Sequence, residues 1–248
     1  MNAVILGGGR ADDPLALAQG VPSKGLVRVA GKAMGAHVHD ALRASGLVDW
    51  VRYAGPCPAE LADRVDETCP AGASLLDTVE RALAGLHGRT LIATADIPLL
   101  TAGAVRDLIE RAPEAAFVYP IIRRAAAEQL APGARRTYVR IQRESYTGGN
   151  LALVDPVILS RRMPAIREVL EARKFPLRVA LIVGLPVLAG LLLGTLRIAR
   201  LEARVSSIIG APARAYVTRH AEIGVDVDQP EHLELAERLL CARQGRSG

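Results

Sequence analysis

The chain has 248 residues and a formal net charge of +5 at pH 7, a length that suits one large α/β domain with a sizeable core. Apolar residues make up 50% and aromatics 3%, so the expected core is Leu, Val, Ala and Ile. Arginine outnumbers lysine, but the excess is scattered, with no arginine–aromatic stripe and no recognition-helix signature, which argues against a nucleic-acid partner.

Ala3-Val4-Ile5-Leu6 reads as a short buried strand, and Gly7-Gly8-Gly9-Arg10 follows at once. A parallel strand that ends in glycines brings backbone N–H groups against phosphate. Val21-Pro22-Ser23-Lys24 closes the segment, and Arg10 and Lys24 supply the positive charge that a triphosphate needs. The NAD fingerprint does not fit. Gly7 and Gly9 take its first two places, but Asp12 stands at the third and no acidic residue occurs from Val27 to Ala36. A Walker A string is also missing. A bare glycine turn joining strand to loop is the competing reading.

Strand-like runs recur near 3–6, 48–54, 90–95 and 115–120, with helical patterns near 35–45, 74–86 and 101–111. Thr101 is the expected N-cap of the last helix. Such alternation predicts a parallel sheet covered by helices, with ligands at the carboxyl ends of its strands. Gly7, Gly8, Gly9 and Asp96 all fall at such ends. Residues 121–136 look like a mobile insertion rich in Ala, Arg and Gly. Thr137–Gln142 and Gly149–Val154 are strand candidates, and 145–150 is a tight loop between them. Its glycines either let a ligand approach the backbone or merely turn a hairpin.

Leu177 to Leu196 contains one charge and is long enough to cross a bilayer. Pro176 precedes it, Gly184-Leu185-Pro186 splits it, and Thr195 reads as the N-cap of an amphipathic helix over 196–209 ended by Gly210. A strand near 213–218 and a helix near 230–241 follow. The expectation is therefore two short helices, buried or at a homodimer interface, with peripheral membrane contact as the second reading. Cys57, Cys69 and Cys241 have no regular spacing, which argues against a disulfide framework or a zinc site. No basic region precedes the first apolar run, so the expected location is cytoplasmic.

Four pieces now stand in order: the strand and glycines of residues 3–10, Pro22-Ser23-Lys24, Ala95-Asp96-Ile97-Pro98-Leu99-Leu100, and Gly224-Val225-Asp226-Val227-Asp228-Gln229-Pro230. Together they resemble the MobA-like NTP transferases, of the molybdenum-cofactor guanylyltransferase and sugar-phosphate nucleotidylyltransferase type. The resemblance covers most of 1–120 and returns at 148–153 and 212–240. It implies a Rossmann-like sheet of GT-A type, mixed but mostly parallel, in a single nucleotidyltransferase domain over 1–248. A helical apolar insertion at about 160–210 lies outside the common pattern.

The resemblance also implies an activity. An acceptor phosphate attacks the α-phosphorus of a nucleoside triphosphate, GTP or CTP, and pyrophosphate leaves. Leu6, Gly7, Gly8 and Gly9 hold the triphosphate, and Lys24 and Arg10 are the catalytic cations. Asp96 binds nucleotide and Mg²⁺, with Asp226 first and Asp228 second as the late metal ligand. Gly72 and Ser74 contact the base, although Ser74 followed by Asp77 also fits a helix N-cap. Gly148, Gly149 and Asn150 face the small phosphorylated acceptor. One departure stands out: the loop after Gly9 carries Asp12 and Asp13, and carboxylates repel a triphosphate unless they face solvent or bind metal. Two other classes compete. A GT-A glycosyltransferase would use Asp226-Val227-Asp228 as its metal motif but leaves Lys24 without a job. A non-catalytic nucleotide-binding or membrane-docking protein would account for the acidic loop and the apolar insertion.

Overall fold

A computed structural model describes residues 1–9, 12–132, 136–172, 187, 189–190 and 194–244. Its first half runs β1 (Asn2–Leu6), α1 (Pro14–Ala18), the hairpin strands β2 (Arg28–Val29) and β3 (Lys32–Ala33), α2 (Met34–Ala44), β4 (Trp50–Ala54), β5 (Glu67–Cys69), α3 (Leu75–Leu83), β6 (Thr90–Thr94), α4 (Ala102–Arg111) and β7 (Phe117–Arg123). The rest comprises α5 (Arg124–Leu130), β8 (Val139–Ile141), β9 (Glu144–Gly148), β10 (Leu151–Val154), α6 (Pro156–Ala172), α7 (Ile198–Ile209), β11 (Ala213–Thr218) and α8 (Pro230–Gln244).

The main sheet follows the order β5-β4-β1-β6-β10-β7-β9-β8, with β11 beside β7. β5, β4, β1 and β6 are parallel, and β10 enters antiparallel between β6 and β7. β7 pairs β10 through its first residues and β9 through its last, while β11 runs parallel along its other side. The central strands are buried on both faces, which is why they read as unbroken apolar runs. Ala3 and Ile5 face the core under α2 and α4. Val4 and Leu6 face the core under α3 and α6.

The expected sheet and most element boundaries hold. Thr101 caps α4 by accepting the Ala104 N–H at 3.1 Å. Gly210 ends α7 with φ at +67°, a left-handed conformation that glycine adopts without a Cβ clash. Three expectations are corrected. Residues 121–130, expected to begin a mobile insertion, are regular instead: 121–123 complete β7, and Arg124–Leu130 form α5. Residues 144–148 are strand β9 rather than a tight loop, because the chain turns earlier, at Gln142, whose φ is +56°. Helix α7 starts at Ile198 with Arg197 as its N-cap, so Thr195 has no capping role there.

Within the apolar stretch, Val187 and Leu196 are buried against Ile141 and Tyr146. The expected break at 184–186, the pair of short helices and the dimer contact lie outside the described residues. Among the described residues no helix is long and apolar enough to cross a membrane. Cys57, Cys69 and Cys241 are free thiols.

Candidate active site

The carboxyl ends of β1, β4 and β6 converge on one tyrosine. Tyr53, in β4, is fully buried. A Cβ on Gly7 would lie 2.1 Å from Tyr53 Cε1, one on Gly25 would lie 2.5 Å from Tyr53 Oη, and one on Gly35 would lie 2.7 Å from the same oxygen. Real Cβ atoms do not approach that closely, so the three positions demand glycine. The ring thereby fixes the glycine loop against the short turn Lys24–Leu26. Gly55 completes the support, since its Cβ would meet the backbone of Gly7 and Gly8.

Lys24 is held in place by this packing. Its Nζ donates to Asp96 Oδ2 at 2.8 Å and to Asp228 Oδ1. Burial alone would lower the ammonium pKa, but the charge of Asp96 and the hydrogen bonds to Asp228 and Asp96 outweigh it and raise it. Lys24 is therefore a permanent cation. Asp96 follows β6 by two residues, and its carbonyl accepts the Val227 N–H at 2.9 Å. That bond brings the late segment 224–229 to the carboxyl end of the central strand β6. Val225 and Val227 point into a core with Leu15, Val27 and Leu99. The alternate residues Asp226 and Asp228 turn the other way, as an extended backbone requires.

The carboxylates are crowded. Asp226 is pushed up to about 6 by burial and then by the charge of Asp228, a hydrogen bond to it, and the charge of Asp96. Asp228 goes down although burial opposes it, because the Lys24 ammonium bonds it. Asp96 Oδ1 is buried with no hydrogen-bond partner. Among the described residues no three His, Cys, Asp or Glu side chains form a ready metal cluster, and Lys24 lies between two of the three aspartates. The donor set is nevertheless the all-oxygen kind that a hard divalent cation takes. The orphaned Asp96 oxygen and the raised Asp226 both call for more positive charge, so the residues fit such an ion.

The remaining expected residues fall around this centre. Leu6 ends β1, and its carbonyl accepts the Ala95 N–H at 3.0 Å. Gly8 lies against Ala71 and Thr78, which brings the 70–74 loop beside the glycine loop. Gly72 is clamped there: its N–H donates to Thr78 Oγ1 at 2.9 Å, and a Cβ would strike Asp77. Ser74 caps α3, accepting the Asp77 N–H at 3.2 Å while its hydroxyl donates to Asp77 Oδ2 at 2.8 Å. Asn150 accepts the Thr94 N–H through its backbone carbonyl at 3.1 Å, which sets Gly148, Gly149 and Asn150 next to the Asp96 side of the crevice. Gly148 packs under Tyr119 and Gly149 under Ile223. Asp13, which as a free acid would repel phosphate, is the N-cap of α1 and accepts from the Leu15 and Ala16 N–H groups at 3.1 Å each. Arg10 lies outside the described residues.

A family model, the MobA-like NTP transferase domain, matches residues 3–182. The chain belongs to the MobA-like NTP transferase family. The match takes in part of the segment expected to lie outside the family pattern and ends before Asp226 and Asp228. A solved structure of a hypothetical transferase from Thermus thermophilus is similar at 43% identity, over 94% of this chain and 99% of that one, with a TM-score of 0.86. A CMP:2-keto-3-deoxy-manno-octonic acid synthetase complexed with CTP shares the fold at 15% identity, covering 98% of both chains, with a TM-score of 0.61. So does a 2-C-methyl-D-erythritol 4-phosphate cytidylyltransferase, also from Thermus thermophilus, at 14% identity over 97% of this chain and 98% of that one, with a TM-score of 0.55. None of the curated proteins matches the chain.

Sequence reasoning missed part of this MobA-like centre. Ser23 Oγ, Tyr53 Oη and Thr94 Oγ1 are buried without a hydrogen-bond partner, like Asp96 Oδ1. Buried polar atoms are ordinarily satisfied, so Thr94 Oγ1 and Asp96 Oδ1 mark a place where a ligand completes the bonding, whereas Tyr53 Oη, boxed by Gly7, Gly25 and Gly35, stays without a partner. Nothing in the linear chain flags these hydroxyls. Tyr53→Phe is expected to raise the melting temperature, because an unpartnered buried hydroxyl costs about 1–3 kcal/mol. Thermal melts of the two proteins check this, and a lower melting temperature would show that the hydroxyl has a partner in solution.

Proposed function

We propose that the chain transfers a nucleoside monophosphate from GTP or CTP to a small phosphorylated acceptor and releases pyrophosphate. The observation that carries this reading is Lys24 bonded to Asp96 and Asp228 beside the glycine loop. Nucleotidyl transfer is chiefly positioning and charge stabilisation, because the reacting centre is densely anionic. Gly7–Gly9 offer backbone donors for the triphosphate, and Lys24 offers a fixed cation for charge that develops as pyrophosphate leaves. In this reading the 70–74 loop, which lies beside the glycine loop, contacts the base. Gly148–Asn150, across Thr94 from the glycine loop, hold the acceptor.

Asp96, with Asp226 and Asp228, would hold Mg²⁺. When bound, that ion supplies charge neutralisation on the phosphates. The residues' own task is to present carboxylate oxygens there and to hold Lys24 beside the glycine loop. A glycosyltransferase reading has no use for a lysine that ties Asp228 of its metal motif to Asp96, and the bonding of Lys24 favours the transferase of nucleotides.

Asp96→Asn and Asp226→Asn are each expected to raise the Mg²⁺ concentration needed for half-maximal activity. The amide keeps one oxygen and removes the charge. Magnesium titrations of pyrophosphate release check this. A silent Asp226→Asn beside an impaired Asp228→Asn would move the role to Asp228, and silence in both would remove the late metal site. The reading as a whole is tested by a pyrophosphate-release screen of the four NTPs against phosphosugars, phosphopolyols and pterin phosphates. Nucleotide binding without turnover across that panel would favour a non-catalytic protein.

A further inference from the structure

The crevice does not end at Asn150. A cavity of about 490 Å³ opens beside it and runs along the sheet face under α3, α6 and α7. Leu6 and Thr94 stand at its catalytic end, one residue before Gly7 and two before Asp96. Among the described residues no charged side chain lines it, and its walls are largely Leu, Ile, Val and Met from the sheet and the three helices. A second cavity of about 220 Å³ continues beneath α7, and Phe117, Tyr119 and Val205 line both. Tyr119 also packs against Gly148, in the segment next to Asn150. At the mouth the polar groups are few: Thr94, whose Oγ1 is buried without a partner, and Asn150. A mostly apolar pocket of this size with a small number of polar groups at one end is the usual form of a small-molecule site.

Phosphosugars and phosphopolyols expose hydroxyls all round and would leave these apolar walls unmatched. Burying their hydroxyls there without partners is unfavourable. We propose that the acceptor is a phosphate monoester of an apolar alcohol, with its phosphate at the Lys24–Asp96 edge and its hydrocarbon in the slot beneath α7. This rests on the nucleotidyltransferase reading and names its acceptor class. A phosphate oxygen of the monoester forms the new bond to the α-phosphorus of the NTP. The bond from that phosphorus to the bridging oxygen breaks, and its electron pair leaves with pyrophosphate. The product is a nucleoside diphosphate ester of the alcohol.

The test is a homologous series of ethyl, butyl, hexyl and octyl phosphate, below their micelle concentrations, given to the full chain with each NTP. Pyrophosphate release and calorimetric binding are read in parallel. KM and Kd are expected to fall about fourfold per added methylene, the ~0.8 kcal/mol of a buried CH₂, until the slot is filled. Val205→Asp, which puts a carboxylate where the two cavities meet, is expected to flatten the series, and Val205→Ile to keep its slope. Presenting dodecyl phosphate in phosphatidylcholine vesicles and free in solution tells a membrane-held acceptor from a dissolved one, and turnover in either form supports the assignment. Binding and turnover that ignore chain length, with pyrophosphate released from phosphosugars alone, would overturn the acceptor class and leave the nucleotidyltransferase reading standing. Chain-length-dependent binding with no pyrophosphate from any NTP would support the slot and overturn that reading instead.

Discussion

Lys24→Ala is expected to lower turnover about a hundredfold or more while the protein keeps its fold. Removing one preorganised donor from the place where transition-state charge develops typically has an effect of that size. Here the donor is fixed before any ligand arrives, because Lys24 sits on a turn wedged by Gly25 against Tyr53 and bonds Asp96 and Asp228. Its raised pKa keeps it charged at any working pH. Lys24→Met separates charge from packing: it preserves most of the side-chain stem and removes the ammonium. Both variants should match the parent in circular dichroism and in the cooperativity of melting, and both should fail in pyrophosphate release. Near-normal turnover in a folded Lys24→Met protein would remove Lys24 from the mechanism.

Gly7→Ala is expected to destabilise the protein by about 3 kcal/mol, the upper end of overpacking costs. For a chain of this size that corresponds to a melting temperature lower by roughly 6–12 °C. The new methyl would lie 2.1 Å from Tyr53 Cε1, and the ring has no room to retreat because Gly25 and Gly35 close on its hydroxyl. NTP binding should weaken as well, since the displaced backbone is the loop proposed to hold the triphosphate. Tyr53→Leu removes the ring atoms that the methyl would strike. In that background Gly7→Ala should therefore cost much less, a coupling that a double-mutant cycle reads directly. An unchanged melting temperature in Gly7→Ala would show that the ring gives way, and the account of a boxed tyrosine would fall.

The candidate aspartates came from the family resemblance, whereas the sheet and most of its helices were legible in the sequence for a common reason. Each is encoded by neighbouring residues. β1, β4 and β6 are short apolar runs because both of their faces are buried. Thr101 and Gly210 announce a helix start and a helix end locally. The misreadings arose where the local signal is weak or shared. β9 has the sequence ESYTG, with no apolar alternation, and it forms because β7 and β8 flank it. α5 is built from Arg, Ala, Glu, Gln and Leu, all good helix formers, but it lies in an Ala- and Arg-rich stretch with little periodicity to mark it. Asp13 looked repulsive beside a triphosphate because its capping bonds to Leu15 and Ala16 exist only once α1 has formed. Tyr53 was invisible for a different reason. Gly7, Gly25 and Gly35 belong to three separate segments, and their meeting on one ring is a property of the fold alone.

The bond from Lys24 to Asp228 joins residues 204 positions apart. Closing a loop of that length carries an entropy cost that the contact itself has to offset. The charge centre thus depends on a contact that closes over most of the chain. A nascent chain on the ribosome has its glycine loop and its lysine long before it has the aspartates that hold that lysine in place. A fragment covering residues 3–182, the span shared with the family model, would carry the loop, Lys24 and Asp96 but neither Asp226 nor Asp228. A contiguous piece ending before residue 226 therefore lacks both of the late aspartates to which the proposed centre is joined.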